Sequence, residues 1–392
     1  DTMYQSAAPL QKRPLKVKGT GPGGRVLNWD LAEALTKRHM DKHGRVLDPK
    51  KPEDYKLIIK EIDKEYKAQI KEHDSGNGWY VEDINQAIEI SKSIIPELAD
   101  AVNRDLFLTM AALLSPQQKP RQNWENAILA FQGYLKTGKI PKKKPSGPGK
   151  GKNWGVNAQK TGLQLLQKLI DQVGVEGALE WVRTPHVGRE IAEFRRDSKL
   201  FKKKKALAGY VAGETNMSGE YLGIYMMGPK VGDFMMNSTG LDQTAVTVDL
   251  WLARTYNRHI GRLLDVAKKK KKSKEIVADV RGIGERKLIK QIVRDLAKKN
   301  NIDPSAMQAA LWYFEQRLFR SHAIQSDSQN FSGAARTAAE SRGVTIPGES
   351  ADVQGTGETK TGQLQEVFQS QTEQARVTPN WYYSQLAESF NA

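Results

Sequence analysis

Cysteine is absent from the 392-residue chain. That absence removes disulfides, thiolate zinc sites, cysteine-ligated iron–sulfur clusters and cysteine nucleophiles at one stroke. Histidine is scarce: the six present are scattered and none sits in an HExxH arrangement, so neither a metal site nor a cofactor is expected. No apolar run approaches the roughly 18–20 residues that a membrane span needs. No secretory signal is legible either, and membrane insertion is not expected. Strand signals are nearly missing, with "TAVTVDLW" (residues 244–251) the one β-like stretch.

What the chain does carry is positive charge. Its formal net charge is +16, on an otherwise ordinary background of 39% hydrophobic and 27% charged residues. A surplus of that size attracts polyanions over a long range, so nucleic acid is the first partner expected and an anionic surface the second. The lysine runs at 142–144, 202–205 and 268–272 read either as solvated loops or as salt-sensitive phosphate contacts.

Helical periodicity dominates the organisation. Residues 1–28, with "QKRPLKVKGTGPGGR", read as a flexible linker. Residues 29–95 read as a helical region, in which Tyr55, Ile58, Ile59, Ile62 and Tyr66 recur at three-to-four spacing and make one face apolar. Pro96 marks a boundary, and further amphipathic helices continue to about residue 323. From 324 to 392 the composition turns to Gln, Ser, Thr, Gly, Ala and Glu, which predicts a largely disordered tail with a short helix at "NWYYSQLAESF". The expectation is an all-α, multi-helix fold. The first residue is Asp1, and a segment cut from a longer chain is expected.

One stretch carries chemistry. Gly228-Pro229 makes a tight turn, and Pro229 suits the first turn of the helix "KVGDFMMNS". Free amides at that helix start can hold a phosphate. Lys230 sits there, where the helix dipole disfavours a protonated amine. A lysine nucleophile must be neutral, and desolvation with nearby positive potential favours that form. Asp249 precedes "LWLARTYNRHIG" and suits its N-cap, where amides would keep a carboxylate ionised. The plain alternative is a solvated lysine at a helix start and an aspartate that only caps. Arg281–Lys287 ("RGIGERK") imitates a second phosphate-binding hairpin, but reads more simply as a loop entering a helix.

"GPKVGD" followed nineteen residues after its lysine by the aspartate of "TVD" resembles the helix-hairpin-helix DNA glycosylase superfamily. It is most similar to 8-oxoguanine glycosylases that also cleave abasic sites. The resemblance covers roughly residues 96–323 and implies a two-subdomain helical fold. It implies that Lys230 is the Schiff-base nucleophile and Asp249 the essential carboxylate. "LLSPQQ" is similar to the segment whose polar side chain, here Gln117, enters the gap left by an extruded nucleotide. "MQAALW" is similar to the segment in which a glutamine (Gln308) reads the base edge and an aromatic (Trp312) stacks on it. Phe234 stands where the eukaryotic enzymes place a small cysteine against the base, and Met226 stands where the family's hairpin has a glycine. The hairpin residues Gly228, Pro229, Val231 and Gly232 are the implied DNA contacts. The implied partner is duplex DNA with a damaged purine, bound by a monomer without an iron–sulfur cluster or other cofactor. The implied setting is the cytoplasm or nucleoid of a bacterial host, or the interior of a phage virion. The competing expectation is an inactive DNA-binding or virion-structural protein built on the same fold. A third, a monofunctional glycosylase for alkylated bases, would need no lysine.

Overall fold

The computed structural model describes residues 2–4, 15–20, 26–72, 79–145, 150–200, 217–266, 274–277, 280–320 and 330–346. Twelve α-helices account for most of them. In chain order these are α1 (Asn28–His43), α2 (Pro52–Glu72), α3 (Ile84–Ser91), α4 (Ala101–Leu114), α5 (Pro120–Thr137) and α6 (Asn157–Arg183). They continue as α7 (Gly188–Asp197), α8 (Pro229–Thr239), α9 (Leu250–Ile260), α10 (Ile283–Asn300), α11 (Pro304–Arg320) and α12 (Phe331–Glu340). A π-helical turn, Trp79–Asp83, leads into α3, and 3₁₀ turns precede α4 and α8. The chain is thus mostly helical, as its periodicity predicts. No helix among the described residues is long and apolar enough to cross a membrane.

Local chemistry sets the helix ends. Asp100 accepts from the Asn103 amide at 2.9 Å to cap α4, and proline opens α5 and α8 at their first turns. Left-handed Gly138, Gly240 and Gly261 close α5, α8 and α9. Gly261 has a second reason to be glycine, because a Cβ there would lie 2.3 Å from the His39 ring. α6 breaks in the middle at Gly174, whose φ of 77° is not helical.

Three buried clusters are joined through α11. Its Ala309 and Trp312 pack with α3–α6, α8 and α12. Met307, Ala310 and Leu311 pack with α2, α9 and α10. Phe314, Leu318 and Phe319 pack with Leu31 and Leu35 of α1 and with Val17 and Val26. A helix that is apolar on all sides belongs in the interior. Glu315 of α11, fully buried, is held there by Arg258 at 2.5 Å, and Arg258 also pairs with Glu65 at 2.6 Å.

Several expectations need correction. The boundary at residue 96 does not separate two bodies, because α3 shares its core with α4–α6 and α2 packs on α11. Neither α2 nor α3 has a second apolar layer of its own, so each completes its burial on later helices. Residues 1–28 are not wholly linker: Thr2–Tyr4 (β1) pairs antiparallel with Leu15–Val17 (β2), and Val17 and Val26 enter the core. Two more two-stranded sheets pair Pro185–Val187 (β3) with Glu220–Leu222 (β4), and Leu264–Val266 (β5) with Lys274–Ile276 (β6). "TAVTVDLW" forms none of them. Its Thr247 amide donates to the Gln308 side chain at 2.8 Å and its Val248 carbonyl accepts from Arg286 at 3.0 Å, so side chains replace strand partners.

The tail expectation also fails at its start. α12 buries Phe331, Ala334, Ala335, Ala338 and Ala339 in the α3–α6 core. The buried Asp83 carboxylate fixes its first turn, accepting from the Phe331 amide at 2.6 Å and the Ser332 amide at 3.1 Å. Residues 1–346 form one compact unit. The helix expected at "NWYYSQLAESF" and the lysine runs at 202–205 and 268–272 lie outside the described residues.

Candidate active site

Lys230 stands in the first turn of α8. Gly228 precedes it with φ 92° and ψ 164°, a conformation open to glycine, and Pro229 fixes the first helical residue. Asp233, one turn on, is buried against Lys290 of α10 at 2.7 Å and accepts from the Tyr225 hydroxyl at 2.7 Å. These contacts anchor the helix start that carries the lysine. The Lys230 Nζ donates to the Ser115 carbonyl at 3.1 Å and to its Oγ at 3.4 Å, at the end of α4. Burial pushes the Lys230 pKa down; the Asp249 charge opposes this and the Arg286 charge reinforces it. The net direction is toward a neutral amine.

Asp249 is the N-cap of α9. One carboxylate oxygen accepts from the amides of Trp251 (3.0 Å) and Leu252 (2.9 Å), and the other accepts from Trp312 Nε1 (3.0 Å). Burial raises its pKa, against the downward pull of the amides, Lys230 and the Trp312 N–H. Lys230 and Asp249 line one cleft of about 810 Å³ and influence each other electrostatically.

The rest of that cleft comes from widely separated segments. Ser115–Pro120 forms one wall, between α4 and α5. Asn28 at the start of α1, Trp251 and Arg254 of α9, Val280 and Arg286 form another. α11 contributes Trp312, Gln316 and Phe319, spaced i, i+4 and i+7 along one face. The lining holds four cationic side chains, Lys119, Lys230, Arg254 and Arg286, and a single acidic one, Asp249. The Arg254 guanidinium lies over the Trp251 ring at 4.8 Å and the Phe319 ring at 5.4 Å, and burial lowers its pKa. The expected residues Lys230, Asp249, Trp312 and Gln117 therefore meet. Gln117 is exposed on the rim with φ 58°, a left-handed conformation that costs a non-glycine residue about 1–2 kcal/mol.

Others do not reach the cleft. Gln308 is buried, and its amide is occupied: Oε1 accepts from the Thr247 amide and Nε2 donates to the Tyr80 hydroxyl at 2.7 Å. It holds the segment leading to Asp249 and does not face a ligand. Phe234 packs edge-on against Tyr80, with ring centroids 5.9 Å apart, and also against Phe331. Val231 is a core side chain. The Gly232 amide is spent on the Gly228 carbonyl at 3.1 Å, and its Cα faces the Tyr225 ring. Gly228 and Pro229 shape the turn without lining the cleft.

Sequence reasoning missed Asn28, Ser115, Trp251, Arg254, Arg286, Gln316 and Phe319. Extending the Trp312 face by one and two turns would have reached Gln316 and Phe319; nothing local signals the others. His39 and His43 stand four apart on α1 with ring centroids 4.7 Å apart. That is a metal-ligand interval the scattered-histidine reading passed over. His39 Nε2 is bonded to the Arg45 carbonyl at 3.1 Å, and no group of three or more potential ligands able to hold a metal occurs among the described residues. No protein-family model, curated protein or solved structure matches this chain.

Proposed function

We propose that the chain is a DNA glycosylase with abasic-site lyase activity, acting on a damaged base in duplex DNA through Lys230. The observation that carries this reading is the pairing of Lys230 and Asp249 in one cation-lined cleft, with the amine biased toward its neutral form by burial. The helix-hairpin-helix glycosylase fold is part of the same proposal, supported by the turn–helix that presents Lys230 and the N-cap that presents Asp249.

The chemistry follows from these groups. A nucleotide turned out of the duplex enters the cleft, and its base stacks on Trp312. Gln117, on the exposed rim, enters the space left behind. The neutral amine attacks C1′, the glycosidic bond breaks, and the base leaves with its bonding electrons and takes up a proton. Asp249 stabilises the positive charge that grows on the sugar as that bond lengthens. The sugar ring then opens to an imine on Lys230. Loss of a C2′ proton expels the 3′ phosphate by β-elimination and nicks the strand, and water hydrolyses the imine to release the lysine. Lys119, Arg254 and Arg286 attract the backbone, and binding should weaken steeply as salt rises.

Borohydride reduction tests this directly. The wild type incubated with an 8-oxoguanine or abasic duplex should give a covalent protein–DNA adduct that Lys230→Gln cannot form. A wild type that binds DNA but yields no adduct with either duplex would leave only a DNA-binding or virion-structural role.

A further inference from the structure

Gln316 lies one turn beyond Trp312 in the cleft wall, 2% exposed, and its Oε1 is buried with no hydrogen-bond partner. Buried amide oxygens are normally bonded, and leucine would fill this position without an unmet acceptor. Beside it in the lining, Arg254 presents a guanidinium stacked between Trp251 and Phe319, and its Nε is likewise buried and unbonded. Gln308, the glutamine that the sequence motif suggested, has both ends of its amide committed to Thr247 and Tyr80. The cleft therefore holds one amide acceptor and one planar cation with unmet bonding capacity, next to an aromatic face.

We propose that Gln316, assisted by Arg254, reads the edge of the extruded base, and that this edge is a lactam, a ring N–H beside a C=O. The inference rests on the glycosylase reading of the cleft. A primary amide is the complement of a lactam: Oε1 accepts the ring N–H while Nε2 donates to the carbonyl oxygen. That oxygen has a second lone pair, which accepts from Arg254. An adenine-type edge offers a single ring nitrogen between these donors and leaves the guanidinium unmet. A base carrying a positive charge from alkylation is repelled by Arg254. Oxidised guanine, hypoxanthine and uracil share the lactam; ethenoadenine lacks it.

The test uses the full chain on duplexes that carry 8-oxoguanine, hypoxanthine, uracil, ethenoadenine or an abasic site. The wild type should release a lactam base and leave ethenoadenine in place. Gln316→Leu should lower the ratio of base release to abasic-site nicking by about tenfold or more, the discrimination expected of a two-point amide contact. Arg254→Met, which keeps much of the stacking surface without the donors, should lower the same ratio and carries the test if Gln316→Leu melts well below the wild type. An unchanged ratio in both variants, or release of ethenoadenine beside the lactams, overturns the assignment alone. A wild type that cannot nick the abasic duplex removes the lysine chemistry and this assignment with it.

Discussion

Replacing Asp249 by asparagine separates its two tasks, capping α9 and facing the sugar. Asparagine caps nearly as well as aspartate, so the bonds from the Trp251 and Leu252 amides survive through its carbonyl oxygen. The amide nitrogen then faces Trp312 Nε1, donor against donor, where the carboxylate accepted at 3.0 Å. One lost bond of this kind costs about 1–2 kcal/mol, a drop of a few degrees in melting temperature for a chain of this size. Activity should fall much further, by about a hundredfold to a thousandfold, the range for removing a charge-stabilising group from an active site. The pH profile supplies an independent sign. The Asp249 charge raises the Lys230 pKa against burial, so its loss lets that pKa fall further and the acid limb of base release moves to lower pH. The measurements are single-turnover base release from pH 5 to 9 alongside thermal melts. Activity within about threefold of the wild type, or an acid limb that moves upward, would refute the role given to the carboxylate.

Two further outcomes concern stability. Arg258→Leu should destabilise the protein by about 3–5 kcal/mol in urea titrations, because it leaves Glu65 and the fully buried Glu315 without their shared cation; a loss below about 1 kcal/mol would mean the network is energetically idle. Burial alone would raise the Glu65 carboxyl, but Arg258 and His259 outweigh it and bring it down to about 2, below its usual 4.5. A depressed carboxyl contributes stability that is complete above the unfolded value and is lost as pH falls toward the folded one. The melting temperature should therefore drop between about pH 4.5 and 2, and Glu65→Gln should flatten that slope; an unaltered slope in the variant would assign the acid loss to other groups.

How much was legible differs by element. α2 was readable because Ile58, Ile62 and Tyr66 recur on one face, and all three are buried in one cluster. Lys230 and Asp249 were readable because both sit at helix starts, where Gly-Pro and an N-cap leave local marks. α12 was missed because its buried face is mostly alanine, which a search for large apolar residues passes over; small side chains are what let it lie close to α3 and α5. "TAVTVDLW" looks like a strand in isolation, but its backbone is satisfied by Gln308 and Arg286, residues far along the chain. The misassignment of base reading to Gln308 has the same origin. Its partner Tyr80 lies 228 residues away, and no local pattern announces that the amide is already taken.

The central placement of α11 has a consequence for how specificity could change. Its backbone is wedged among three clusters, so the face bearing Trp312, Gln316 and Phe319 behaves as a fixed panel rather than a hinged one. Exchanging one side chain on that panel alters what is recognised without asking the scaffold to rearrange. Accommodation to ligand shape would instead fall to the opposite wall around Gln117, where the backbone is already held away from its preferred conformation. Selectivity and adjustability are thereby assigned to different walls of one cleft, and either can be altered while the other stays as it is.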